Sequence, residues 1–342
     1  MWSRPTAVVA ALLATMALHA PGVSGPRGPR GLRRASAESP SACALTTHER
    51  DWLRESLDAW DEISTRILHL SAAPHPPIIL FDATCEYRLA AGTPAPAARP
   101  HGGHVLLPNG QRLAPAAVGF ASLAVGDTAP FLVVALRSVW ESDTTLINED
   151  WDQFLTRSFI HEMTHTRQLP VVVTRLRAAG GLAGMNDIDD DIVQETFDTS
   201  AAFGSAVQRE IRLLYEAAST RGLAERQRRA RAALDAIRAR RERFFGGESA
   251  PWAFVEQVML DLEGAAEFAE FSYLRLANPR TPSAKLIDRV RGDHDFWSQD
   301  EGLALFLLLD ALHPGWTGET FAGDARSAVE LIETALTPST GG

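Results

Sequence analysis

Apolar residues recur at helical spacing in residues 46–70, where Trp52, Trp60, Ile63 and Ile67 define one face and Thr46 or Thr47 stands at a capping position. Pro74, Pro76 and Pro77 rule out its continuation. The period then changes. Residues 78–81 form a short apolar run and residues 84–89 alternate, so both predict strands. Residues 94–103, rich in Ala, Pro and Gly, predict a loop. Residues 105–107 and 111–113 flank Asn109-Gly110, which predicts a hairpin. Residues 131–139 read as the strongest strand. From residue 146 the pattern is helical almost throughout. Asn148 is placed to cap a helix that Pro170 helps to end, and residues 187–218 read as one long helix or two. Further helices are predicted over residues 223–245, over 252–277 with Ser249 as cap, over 297–312 and over 324–336. Strands first and helices afterwards predict an α+β chain, with a small N-terminal sheet and a mostly helical C-terminal half.

Composition changes this picture at the N-terminus. Arg4 precedes the apolar run 7–18, and small residues follow near 20–25, so residues 1–25 read as a signal peptide. The run is too short for a good membrane span, and a signal anchor is the alternative reading. Residues 26–42, rich in Pro, Gly, Arg and Ser, read as a linker without fixed structure. The remaining organisation is a 43–145 α/β subdomain and a 146–338 helical subdomain. Without residues 1–42 the chain carries 28 basic and 42 acidic residues, a net charge of −14, which argues against nucleic acid as a partner. The arginines of residues 223–245, among them Arg228, Arg229, Arg240 and Arg241, alternate with acids and read as a solvated face. The expected location is exported, periplasmic or extracellular. A single lysine, Lys285, among many arginines fits a bacterial source with a GC-rich genome. Two cysteines in an exported chain, Cys43 and Cys85, predict one disulfide.

The chemistry concentrates at His161-Glu162-Met163-Thr164-His165. On a helix, residues four apart lie on one face, so both imidazoles can address one metal ion. Glu162 stands beside them as a candidate general base. Two histidines do not complete a catalytic zinc site, for which three protein ligands are usual. Thr166 to Pro170 supplies no third histidine, so the third ligand should be a carboxylate from a later helix. Glu263 ranks first. It lies in mid-helix on the stripe of Trp252 and Met259, where a carboxylate needs a strong partner, and Gly264 to Ala266 would allow close approach to the histidine helix. Glu267, one turn on, is placed to hydrogen-bond a ligating imidazole. Glu301 ranks second, because Ser298 and Glu301 spell a capping box. Glu195 ranks third, behind the acidic run 187–191. His294 is a weak candidate oxyanion donor, and Tyr273 a weaker one.

The strand before the histidines, the HExxH helix and the later Glu263-Gly264 helix resemble the zincin metallopeptidases, and within them the gluzincin branch. The resemblance covers roughly residues 130–275. It implies a zincin-like fold whose N-terminal sheet packs on the HExxH helix. It also implies Zn2+ as cofactor, a peptide or protein substrate, and hydrolysis by zinc-activated water with Glu162 as base. Glu263 lies 98 residues after His165, farther than in many gluzincins. Two other readings follow: a zinc hydrolase of a cell-wall or other amide substrate, and an inactive zincin-fold binding protein. A retained Glu162 favours an enzyme, since a structural zinc has no use for a base.

Overall fold

Thr46 caps the first helix, α1 (Thr47–Glu62), through a reciprocal capping box with Glu49. A π-helical turn, Ile63–Ile67, extends it. The computed structural model describes residues 43–93, 95–124, 129–142, 150–178, 192–292, 296–322 and 326–337. The signal peptide and linker expected over residues 1–42, the Asn148 cap, the acidic run 187–191 and His294 lie outside the described residues.

Strands β1 (Ile78–Phe81), β2 (Cys85–Leu89), β3 (Ala97–Pro100), β6 (Gly119–Leu123) and β7 (Pro130–Ala135) form one sheet in the order β3-β2-β1-β7-β6. β1 and β7 run parallel; the other pairings are antiparallel. Strands β4 (Val105–Leu106) and β5 (Arg112–Leu113) make the expected hairpin, with Gly110 at φ +84° in its turn. The disulfide Cys43–Cys85 joins the segment before α1 to β2.

Three strand expectations need correction. Residues 97–100 form an exposed edge strand where a loop was expected, because backbone pairing with β2 outweighs their weak β propensity. β7 stops at Ala135, and the chain turns into α2 (Arg137–Ser142), whose Trp140 indole N–H donates to the Ala135 carbonyl at 3.0 Å. β6 has no counterpart among the sequence expectations. Its Gly-Phe-Ala-Ser-Leu sequence holds no β-branched residue and gives little alternation.

The HExxH motif lies in α3 (Trp151–Ala178). Asp150 opens it, its side chain accepting from the Gln153 N–H at 3.1 Å. Pro170 does not end this helix, as had been expected. It sits on the exposed side, where its lost N–H and ring are tolerated, while Leu169, Val172 and Val173 keep the following turns buried. α3 packs on β6 and β7, and Phe159 meets Trp52 of α1 edge-on with centroids 6.0 Å apart.

The helical half comprises α4 (Ile192–Phe197), α5 (Ala201–Ser219), α6 (Leu223–Phe244), α7 (Pro251–Ala277), α8 (Ser283–Arg291), α9 (Trp297–Leu312), α10 (Thr317–Thr320) and α11 (Ala328–Leu336). Helix α7 is entered through Ala250 and Pro251 after a 3-10 turn containing Ser249, so Ser249 is not its cap. α8 and α10 were not expected. The close approach allowed by Gly264 is made to α9, not to the histidine helix. A Cβ at Gly264 would lie 2.6 Å from the Gly302 carbonyl oxygen and 2.6 Å from Phe306 Cδ2. Because the obstacle is backbone, it cannot swing aside. Gly264→Ala is therefore expected to cost about 3 kcal/mol in a denaturant melt, whereas Gly318→Ala, which meets nothing within 4 Å, should leave the midpoint near its wild-type value. Among the described residues, no helix is long and apolar enough to cross a membrane.

Candidate metal centre

His161 and His165 sit on the α3 face turned toward α7, while Ile160 and Met163 anchor the helix in the core. The two Nε2 atoms are 3.0 Å apart. Glu263 enters from α7: Oε2 lies 3.4 Å from His161 Nε2 and Oε1 lies 3.4 Å from His165 Nε2. All three residues are buried. Ligands about 2.1 Å from a tetrahedral metal stand about 3.4 Å from one another, close to the distance from each imidazole nitrogen to its nearer Glu263 oxygen. Among the described residues, Glu263 Oε1 is also buried without a hydrogen-bond partner. Such an atom is costly unless something cationic satisfies it.

The second nitrogen of each ring is also held. His161 Nδ1 faces Glu267 Oε1 at 3.4 Å and Glu270 Oε2 at 3.8 Å, both from α7. His165 Nδ1 faces Gln168 Oε1 at 3.1 Å. Acceptors on the Nδ1 sides place the protons there and turn the Nε2 lone pairs toward Glu263. Both Nε2 atoms and the Glu263 carboxylate then face one another, an arrangement that a proton or a metal ion can satisfy. In the absence of metal, burial depresses His161, but the Glu263, Glu267 and Glu162 carboxylates outweigh it and raise its pKa well above the ordinary value. Burial lowers His165 to about 4. Burial raises Glu263, but the two imidazoles and the Gln299 amide bring it below its usual value.

Glu162 reaches from α3 toward the sheet. Its Oε2 accepts the Ala121 backbone N–H of β6 at 2.9 Å. Bonds at Val118 and Ala124 set the parity of the β6–β7 ladder, so Gly119, Ala121 and Leu123 turn their backbone groups away from β7. Burial pushes Glu162 up to about 8, against the pull of the nearby His161. It is thus a carboxyl group with one fixed oxygen and a strongly raised pKa beside two histidines.

The other carboxylate candidates lie elsewhere. Glu195 is exposed on the short helix α4. Glu301 is buried, but it faces Arg240 Nη2 at 3.6 Å and is not part of a capping box; α9 begins at Trp297 after Phe296, and no side chain caps it. Arg240 is correspondingly no surface residue. It is 2% exposed and binds Glu210 at 2.8 Å as well as Glu256, with its guanidinium over Phe203 at 5.0 Å. Apolar neighbours at Ala233, Leu234 and Ile237 turn this part of α6 inward. Tyr273 is half-buried on α7, with Thr156 beside its hydroxyl.

Glu270, Gln168 and Arg157 were not anticipated. Arg157 donates to Glu270 Oε1 at 2.7 Å and so holds it beside His161. Helical spacing carries the signal: Gln168 follows His165 by three residues, and Glu270 follows Glu263 by seven. Comparison of the chain with protein-family models, with curated proteins and with solved structures finds no match.

Proposed function

We propose that this chain is an exported zinc metallopeptidase of the zincin type, with His161, His165 and Glu263 as ligands and Glu162 as general base. The observation that carries this reading is the convergence of three buried ligand residues, each imidazole nitrogen 3.4 Å from its own oxygen of Glu263, beside a further carboxyl group that is not one of them. A divalent cation held there would polarise a substrate carbonyl and lower the pKa of water. The Ala121 N–H pins one oxygen of Glu162. A cation held beside this carboxyl group would draw its pKa down from about 8, leaving the other oxygen to accept a proton and return it to the leaving amine. Burial keeps bulk water from competing for that proton.

Purified protein is expected to contain about one zinc per chain by mass spectrometry of its metals and to cleave an unfolded protein substrate. Glu162→Gln should keep the zinc and lose the cleavage. A protein without zinc, or an active Glu162→Gln variant, overturns the reading.

A further inference from the structure

Gln168 is buried, one helical turn beyond His165 on α3. Its two amide ends are not interchangeable. Nε2 donates to the backbone carbonyls of Asp261 and Leu262 on α7, each at 3.0 Å. Flipped end for end, the amide would set its own oxygen against two carbonyl oxygens and leave three acceptors without a proton between them. Oε1 is therefore the atom that faces His165 Nδ1 at 3.1 Å. An amide oxygen only accepts, so Nδ1 carries the hydrogen. His165 Nε2 is then the bare nitrogen, and it is the nitrogen aimed at Glu263 and His161.

We propose that Gln168 is the positioning residue of this centre, fixing His165 in the Nδ1–H tautomer and tying α3 to the turn of α7 that delivers Glu263. The two hydrogen-bond directions make one side chain serve both helices. Asp261 and Leu262 immediately precede Glu263, so a shift of α7 along α3 would break both amide bonds before it moved the carboxylate far. The other histidine is held differently: Glu267 and Glu270 face His161 from α7, whereas the partner of His165 is on its own helix. The metal half of this proposal rests on the zinc reading above; the tautomer half does not.

The test begins with the metal-free full chain labelled with 15N-histidine. Long-range proton–nitrogen correlations are expected to show His165 with a protonated Nδ1 and a bare Nε2. Gln168→Met has similar length but neither donor nor acceptor of the same kind. It should give a mixture of tautomers and weaken zinc binding about 10- to 100-fold in chelator competition, with an unchanged helical circular-dichroism spectrum as the control for folding. Gln168→Glu keeps an acceptor for Nδ1–H and should restore the tautomer, although it loses both bonds to α7. A wild-type His165 carrying its proton on Nε2 overturns the proposal, and that measurement needs no variant. So does a folded Gln168→Met protein with unchanged tautomer and unchanged zinc affinity. A wild-type chain that shows the Nδ1–H tautomer, loses it in Gln168→Met, yet binds no zinc supports the tautomer half and overturns the zinc reading.

Discussion

Glu263→Ala should lower zinc affinity by several orders of magnitude, because two imidazoles and water make a poor catalytic site where three protein ligands are usual. The fold should survive the change. Among the described residues Glu263 Oε1 has no hydrogen-bond partner, so removing the carboxylate also removes an unsatisfied buried group. The measurement is zinc affinity by chelator competition alongside a melt. Glu267→Ala should give a milder loss, roughly 10- to 100-fold, since it only orients His161. Glu301→Ala should leave zinc affinity unchanged, because its partner is Arg240. If Glu263→Ala binds zinc as tightly as wild type, the ligand assignment fails.

Arg240→Met should destabilise the fold by about 3–5 kcal/mol, read as a lower denaturant midpoint at an unchanged slope. Three carboxylates, Glu210, Glu256 and Glu301, surround this guanidinium, and only Arg241, which reaches Glu256 at 2.7 Å, remains to offset them. The deficit should depend on pH. Burial already raises Glu301 well above its ordinary value and raises Glu210, in each case against the pull of Arg240. Without Arg240 the folded-state pKa values lie farther above the unfolded value of about 4.3. The native state then binds more protons than the unfolded one near neutrality, so stability is lost as pH rises and recovered as it falls. Arg228→Met on the exposed face of the same helix should leave the midpoint where it is.

The parts of this structure that local spacing encodes were legible in the sequence. His161 and His165 share a face because four residues make about one turn, and Glu263 was placed by the cost of an acid on an apolar stripe. The parts that were misread depend on distant partners. Nothing near Gly119 announces a strand; β6 exists through its pairing with β7 and its backbone bond to Glu162. Arg240 looked like its neighbours Arg238 and Arg241, and only the acids of α5, α7 and α9 reveal that it is inside. Ser298 and Glu301 spell a capping box, yet the helix starts just before them and the box does not form, because Glu301 is drawn to Arg240 instead. Pro170 stops a helix only where the ring or the lost N–H has consequences, and on an exposed face of a well-anchored helix it has few.

The distance along the chain between the histidines and Glu263 sets the order in which this protein can become competent. Two donors arrive together on α3, but the third comes 98 residues later, on a helix that itself docks backbone to backbone against α9 at Gly264 and Gly302. Chains are made from the N-terminus and close distant contacts late. A nascent chain that has completed α3 therefore holds two imidazoles and no cation site. On the proposed reading, metal capture has to wait until α7 and α9 have emerged and packed. If that reading holds, the chain stays inert through most of its synthesis, and reactivity is among the last properties that folding confers.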